Sequence, residues 1–119
     1  MDLTLTSAVR DGATVISAVG EIDVYTSGRL RSFLLPAVEA GPVVVDLEGC
    51  EFLDVTGLGV LIGARKLARA NGWDLAFACT VERVLQVFRV TGLMRVLTIC
   101  ESVDEAVKAV LAGKGEDDG

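Results

Sequence analysis

Asp54, Thr56, Gly57 and Gly59 stand in the segment FLDVTGLGVLIG, where a strand-like run gives way to an apolar helix. A carboxylate, a hydroxyl and flexible backbone at such a junction suit the handling of an anion. The first N–H groups of a helix have no partner inside it, and the positive end of the helix dipole lies beside them. A phosphate on a hydroxyl in this turn would be held by those groups, and the glycines would keep side chains clear of an approaching partner. A plainer reading stands beside this one: Asp54 or Thr56 caps the helix, and the glycines permit the turn. Spacing does not decide between them, because Gly-x-Gly here fits neither a dinucleotide nor a P-loop fingerprint.

The chain's omissions narrow the chemistry. None of the 119 residues is histidine, which excludes His-dependent metal sites and Ser-His-Asp or Cys-His catalysis. Phosphoryl or acyl transfer by Asp54 and Thr56 would need a base, an Arg/Lys cluster in the motif or a metal set, and none is recognisable. A binding module is expected, not an enzyme, with no cofactor and no metal. The chain carries 11 basic and 17 acidic residues, a net charge of −6, so it lacks the basic footprint of nucleic-acid binding. No apolar run reaches the ~18 residues of a membrane span, and no signal peptide is recognisable. A cytoplasmic protein without membrane insertion is expected. Cys50, Cys79 and Cys100 form an odd set without CxxC spacing and read as reduced, partly buried thiols.

The elements that must position the junction follow from periodicity. Alternating Leu3, Leu5 and Val9, the Asp11-Gly12 turn signal and TVISAVG predict an antiparallel hairpin, with Gly20 ending its second strand. Leu30, Phe33, Leu34, Ala37 and Val38 give a helical stripe from about Thr26, capped by Thr26 or Ser27, with a kink or broken last turn at Pro36. VVVDL reads as a strand buried on both faces. The helix after the junction runs to about Asn71-Gly72. WDLAFAC is the next strand, with Trp73 covering the sheet edge. Thr80 should cap a helix ending at Gly92, and a short strand from about Val96 to Cys100 leads to a last helix with Ser102 and Glu105 at capping-box spacing. The order β-β-α-β-α-β-α-β-α implies an α/β fold, a hairpin followed by alternating helices and parallel strands. One domain over residues 1–112 is expected, then a disordered Gly-rich acidic tail over 113–119.

GEID at Gly20–Asp23, FLDVTGLGVLIGARKLARANG at Phe52–Gly72 and VFRVTGL at Val87–Leu93 occur in one order at one set of spacings. Together they resemble the STAS domain family, and within it the bacterial anti-sigma-factor antagonists of the sporulation and stress-response type. The resemblance runs from about Leu3 to Leu111. It implies a single STAS-like domain that binds an anti-sigma factor, itself a serine/threonine kinase of the histidine-kinase-like ATPase class, and so frees a sigma factor. Phosphorylation in the motif releases the antagonist, and a serine/threonine phosphatase reverses it. Asp23 matches the family's acidic residue near the phosphosite, Asp54 the motif Asp, and Gly57, Leu58 and Gly59 the helix start. The departure is Val55, which stands where relatives usually carry the phosphoacceptor serine. Thr56 is then the phosphorylation candidate.

The expected partner surface comprises Asp23, Tyr25, Thr26, Asp54, Val55, Thr56, Gly57, Leu58 and Ile62. Gly57, Val60, Leu61, Ala64, Leu67 and Ala68 should face the sheet. Leu58 and Ile62 would form a second apolar edge for docking, beside a charged face of Arg65, Lys66 and Arg69. Tyr25 and Thr26 either contact the partner or cap and pack. The protein is expected to be a monomer or weak dimer. The competing reading is a STAS scaffold, sensor or transporter-accessory subunit not regulated by phosphorylation.

Overall fold

Asp11 and Gly12 both take positive φ, 55° and 94°, the geometry of a tight hairpin turn. They join β1 (Leu3–Arg10) to β2 (Ala13–Ile22), as the sequence signal implies. The computed structural model describes residues 2–113. After the hairpin come α1 (Ser27–Ala40), β3 (Val43–Asp46), β4 (Cys50–Leu53), α2 (Val55–Ala70), β5 (Leu75–Ala78), α3 (Glu82–Val90), a 3-10 turn at Leu93–Arg95, β6 (Thr98–Cys100) and α4 (Val103–Gly113). The sheet order is β1-β2-β3-β5-β6, with β4 also on β2; among the described residues only the β1–β2 pairing is antiparallel.

The strand β4 adds one element to the expected order. Its four residues are buried only at the ends, too short a pattern to read as alternation. Its pairing with β2 begins at Gly20. Rather than ending β2, Gly20 sits at φ +118° inside the strand, and a Cβ there would lie 2.2 Å from the Asp2 carbonyl oxygen. The register shifts between Gly20 and Glu21, as at a β-bulge. The first half of β2 pairs with β3, and Gly20–Ile22 pair with β4. The bulge therefore delivers Ile22 and Asp23 beside Leu53 and Asp54.

Two apolar layers enclose the sheet. Leu30, Leu34 and Val38 of α1, Leu58, Leu61, Ala64 and Ala68 of α2, and Val84 and Phe88 of α3 pack on one face with Val43, Val45 and Phe77. Ala106, Val107 and Val110 of α4 cover the other with Val15, Val44 and Ala78. Val43, Val44 and Val45 are completely buried, as a strand covered on both faces requires. At its start α4 has half of the expected capping box: Ser102 Oγ accepts from the Glu105 N–H at 3.1 Å, but Glu105 Oε1 accepts from the Glu101 N–H at 3.2 Å, one residue before the cap.

Several local expectations are corrected. The last turn of α1 is not broken: the helix continues through Pro36 to Ala40, with Pro36 on the exposed side and Leu34 and Val38 anchoring both flanks. Phe33 leaves the apolar stripe and is exposed. Val81, not Thr80, precedes α3, and the Thr80 hydroxyl instead donates to Glu48 Oε1 at 2.7 Å. Trp73 lies just before β5, which is an interior strand and not an edge of the sheet. The expected tail lies outside the described residues beyond Gly113, which ends α4. Among the described residues no helix is long and apolar enough to cross a membrane. Cys50, Cys79 and Cys100 are free thiols, and burial pushes the Cys50 pKa up to about 11.

Candidate functional site

The helix α2 starts where parallel strands β2 and β4 end together. Ile22 pairs with Leu53, and the Asp54 N–H donates to the Ile22 carbonyl at 3.1 Å. Asp54 has extended backbone (φ −103°, ψ −179°), and its Oδ1 accepts from the Gly57 N–H at 2.9 Å. Asp54 is thus the N-cap. Its own carbonyl takes the Leu58 N–H, which leaves the N–H groups of Val55 and Thr56 without partners inside the helix.

Gly57 has a structural reason to lack a side chain. A Cβ there would stand 2.3 Å from Ile22 Cγ2 and 3.0 Å from Leu53 Cδ1, so the missing atom lets α2 rest directly on the strand ends. A Cβ on Gly59 would meet nothing within 4 Å. The expectation that both glycines clear the way for an approaching group is corrected for Gly57, whose space is already filled by the core.

The neighbouring β2–α1 loop is tied internally. Asp23 Oδ1 accepts from the N–H groups of Tyr25 and Thr26, at 2.9 and 3.0 Å. The Thr26 hydroxyl accepts from the Asp23 N–H at 2.9 Å and donates to the Glu21 carbonyl at 2.8 Å. Asp23 and Thr26 are consequently buried, while the loop tip presents Val24 at 59% and Tyr25 at 83% exposure. Thr26 begins α1 without a side-chain cap bond, since its hydroxyl is engaged in this loop.

The expected site residues therefore divide. Tyr25, Val55 and Thr56 are exposed, and Val55 reaches 76%. Asp54 and Ile62 are half-buried, whereas Asp23, Thr26 and Gly57 are buried beneath the surface that they shape. Leu58 requires a correction: it is only 5% exposed and belongs to the core, and Ile62 packs against that core. The apolar docking edge expected of this pair is not presented. Sequence reasoning missed Val24. Its signal was available in hindsight, because an apolar residue between a loop-tying Asp and Thr has no core to enter.

Beside Thr56 the two helices α1 and α2 leave a groove of about 370 Å³. Leu34, Leu35, Val60 and Leu67 supply apolar walls, and Arg31 and Thr56 line it as well. Val60 and Leu67, expected to face the sheet, are half-buried, pack against the core and also line this seam. The site can thus offer a partner an exposed apolar ridge, a groove and a helix N-terminus carrying one hydroxyl.

Comparison with known proteins agrees with this architecture. The STAS domain model matches residues 4–106. The anti-sigma-B factor antagonist of Bacillus subtilis (strain 168) is 33% identical over 94 residues, covering 78% of this chain and 86% of that protein. Its Staphylococcus aureus (strain NCTC 8325) counterpart is 29% identical over 106 residues, covering 87% and 98%. A crystal structure of an anti-sigma factor antagonist from Mycobacterium paratuberculosis superposes with a TM-score of 0.83 at 26% identity, over 92% of this chain and 95% of that one. A sulfate transporter family protein from Wolinella succinogenes shares the fold, with a TM-score of 0.73 at 16% identity over 88% and 89%. With its bulged hairpin, its capped α2 and a family match over most of its length, the chain belongs to the STAS domain family.

Proposed function

We propose that this protein is an anti-sigma-factor antagonist, acting by partner switching on an anti-sigma factor of the histidine-kinase-like ATPase class. The observation that carries the reading is the exposure of Tyr25, on the β2–α1 loop, and of Val55, at the first position of α2, next to the strand ends that the Ile22–Asp54 hydrogen bond joins. An exposed aromatic on a braced loop is the kind of anchor that interfaces favour. The names of the similar proteins support an anti-sigma factor as the partner. Asp23 and Thr26 act from beneath by fixing the Tyr25 loop, and Asp54 by fixing the start of α2.

In this reading Val55, with no hydroxyl, makes the antagonist hard to dismiss by phosphorylation. Thr56 is the acceptor that remains, and its exposure at the second helical position leaves it open to modification. Its branched side chain and its place one residue further into the helix make that modification slow. The same valine supports a second reading, in which the domain is a scaffold, sensor or transporter-accessory subunit without a phosphorylation switch.

Reconstitution separates the two. Adding the protein to a purified complex of a sigma factor and its anti-sigma ATPase, both from the same genome, should release the sigma factor in proportion to the antagonist added. Failure against every such complex of that genome would reject the antagonist reading.

A further inference from the structure

Arg31 on α1 and Thr56 on α2 line the same groove from opposite helices. Arg31 takes part in none of the ion pairs among the described residues, which join Arg10 to Asp104, Arg69 to Asp74 and Arg89 to Glu82. Arg29, on the same helix, is occupied by the Leu3 carbonyl at 2.7 Å. Gly59 and Gly63, one and two turns along α2, leave the groove open, with nothing within 4 Å of where a Cβ would stand. A phosphate on Thr56 would lie two residues from the Asp54 carboxylate and needs a cation to offset that repulsion. The groove places one at hand.

We propose that Arg31 is the built-in counter-ion for phosphorylated Thr56, so that the modification is latched across the α1–α2 groove. The inference rests on the reading of Thr56 as the acceptor. In the modification itself the Thr56 Oγ1 forms a bond to the γ-phosphorus of the ATP held by the partner kinase. The bond from that phosphorus to the β–γ bridging oxygen breaks, ADP departs, and the hydroxyl proton passes to a base of the kinase. The resulting dianion accepts from the guanidinium in the forked geometry that arginine provides. The unpartnered N–H groups of Val55 and Thr56 add to the hold. The phosphate then fills the mouth of the groove, closing it to a side chain of the partner.

The test requires no kinase and no partner. Phosphothreonine is installed at position 56 of the full chain by genetic encoding, and its phosphate is titrated by phosphorus NMR. The second pKa of a phosphorylated side chain is about 6. In the parent it should fall below that value, because an adjacent cation favours the dianion. Arg31→Gln should raise it by roughly 0.5 unit or more, with Arg31→Lys between the two. Lys66→Gln removes the same charge from an exposed position outside the groove and should leave the titration unchanged. Coincident titrations of parent and Arg31→Gln would overturn the proposal, as would an equal shift in Lys66→Gln. The outcome is independent of sigma-factor release, so failure of the latch and failure of the antagonist reading remain distinguishable.

Discussion

Three glycines on α2 should respond to alanine with opposite signs. In a helix interior alanine is favoured over glycine by about 0.8–1 kcal/mol. At Gly59 and Gly63, where an added Cβ meets nothing within 4 Å, most of that gain should appear as stability. At Gly57 the same atom would sit 2.3 Å from Ile22 Cγ2, well inside the ~3.5–4 Å of a carbon–carbon contact. Ile22 cannot yield, since it is completely buried and its strand is paired with β4. Its carbonyl oxygen, 3.2 Å from the added carbon, blocks a simple slide of the helix along the strand. Overpacking costs about 1–3 kcal/mol and a contact this short belongs at the upper end, about 2–3 kcal/mol, so Gly57→Ala should be destabilised by about 1–2 kcal/mol after the helical gain is subtracted. Thermal melts followed by circular dichroism should place Gly57→Ala roughly 3–12 °C below the parent. Gly59→Ala and Gly63→Ala should melt at or above it. A Gly57→Ala protein as stable as the parent would refute the close seating of α2 on β2, and with it the account of how the site is braced.

Asp54→Ala should cost about 1 kcal/mol in urea unfolding through loss of the N-cap, whereas Thr56→Ala should cost much less because its hydroxyl caps nothing. The raised Cys50 pKa implies a stability loss in alkali. The unfolded thiol ionises near the ordinary value of 9.0 and the folded one only near about 11, so stability falls as pH rises through that window. Cys50→Ala should flatten this part of the stability–pH curve, and an equally steep fall in the variant would contradict it. Incubation with the cognate kinase and ATP, read by intact mass, should label Val55→Ser faster than the parent. Rapid labelling of the parent that survives Thr56→Ala would place the switch on another residue.

Much of the architecture was legible because its signals are periodic. The helical stripes of α1, α3 and α4 and the continuous apolar run of β3 each reflect one dominant environment, and Asp11-Gly12 has the turn chemistry of its backbone. The strand β4 was legible only as a strand-like run before the junction, not as a separate member of the sheet. Its pairing depends on a bulge at Gly20, some thirty residues away, which no local pattern announces. The junction was found but its division of labour was not. Periodicity placed Leu58 on a second face of α2, yet the first turn lies directly over the strand ends and buries that face too. Asp23 illustrates the same limit. Its residue type suggests surface chemistry, while its carboxylate in fact ties the loop that lifts Tyr25 into solvent.

Calorimetric titration of the anti-sigma ATPase into the parent, Tyr25→Ala, Val55→Glu and Lys66→Gln tests the central claim most directly. Tyr25 and Val55 are so exposed that their replacement should leave the melting temperature close to that of the parent. Loss of an aromatic anchor at an interface commonly costs more than 1 kcal/mol, so each of these two variants should bind about tenfold or more weakly, with Lys66→Gln unaffected. Parental affinity in both Tyr25→Ala and Val55→Glu would show that the partner docks elsewhere on the domain.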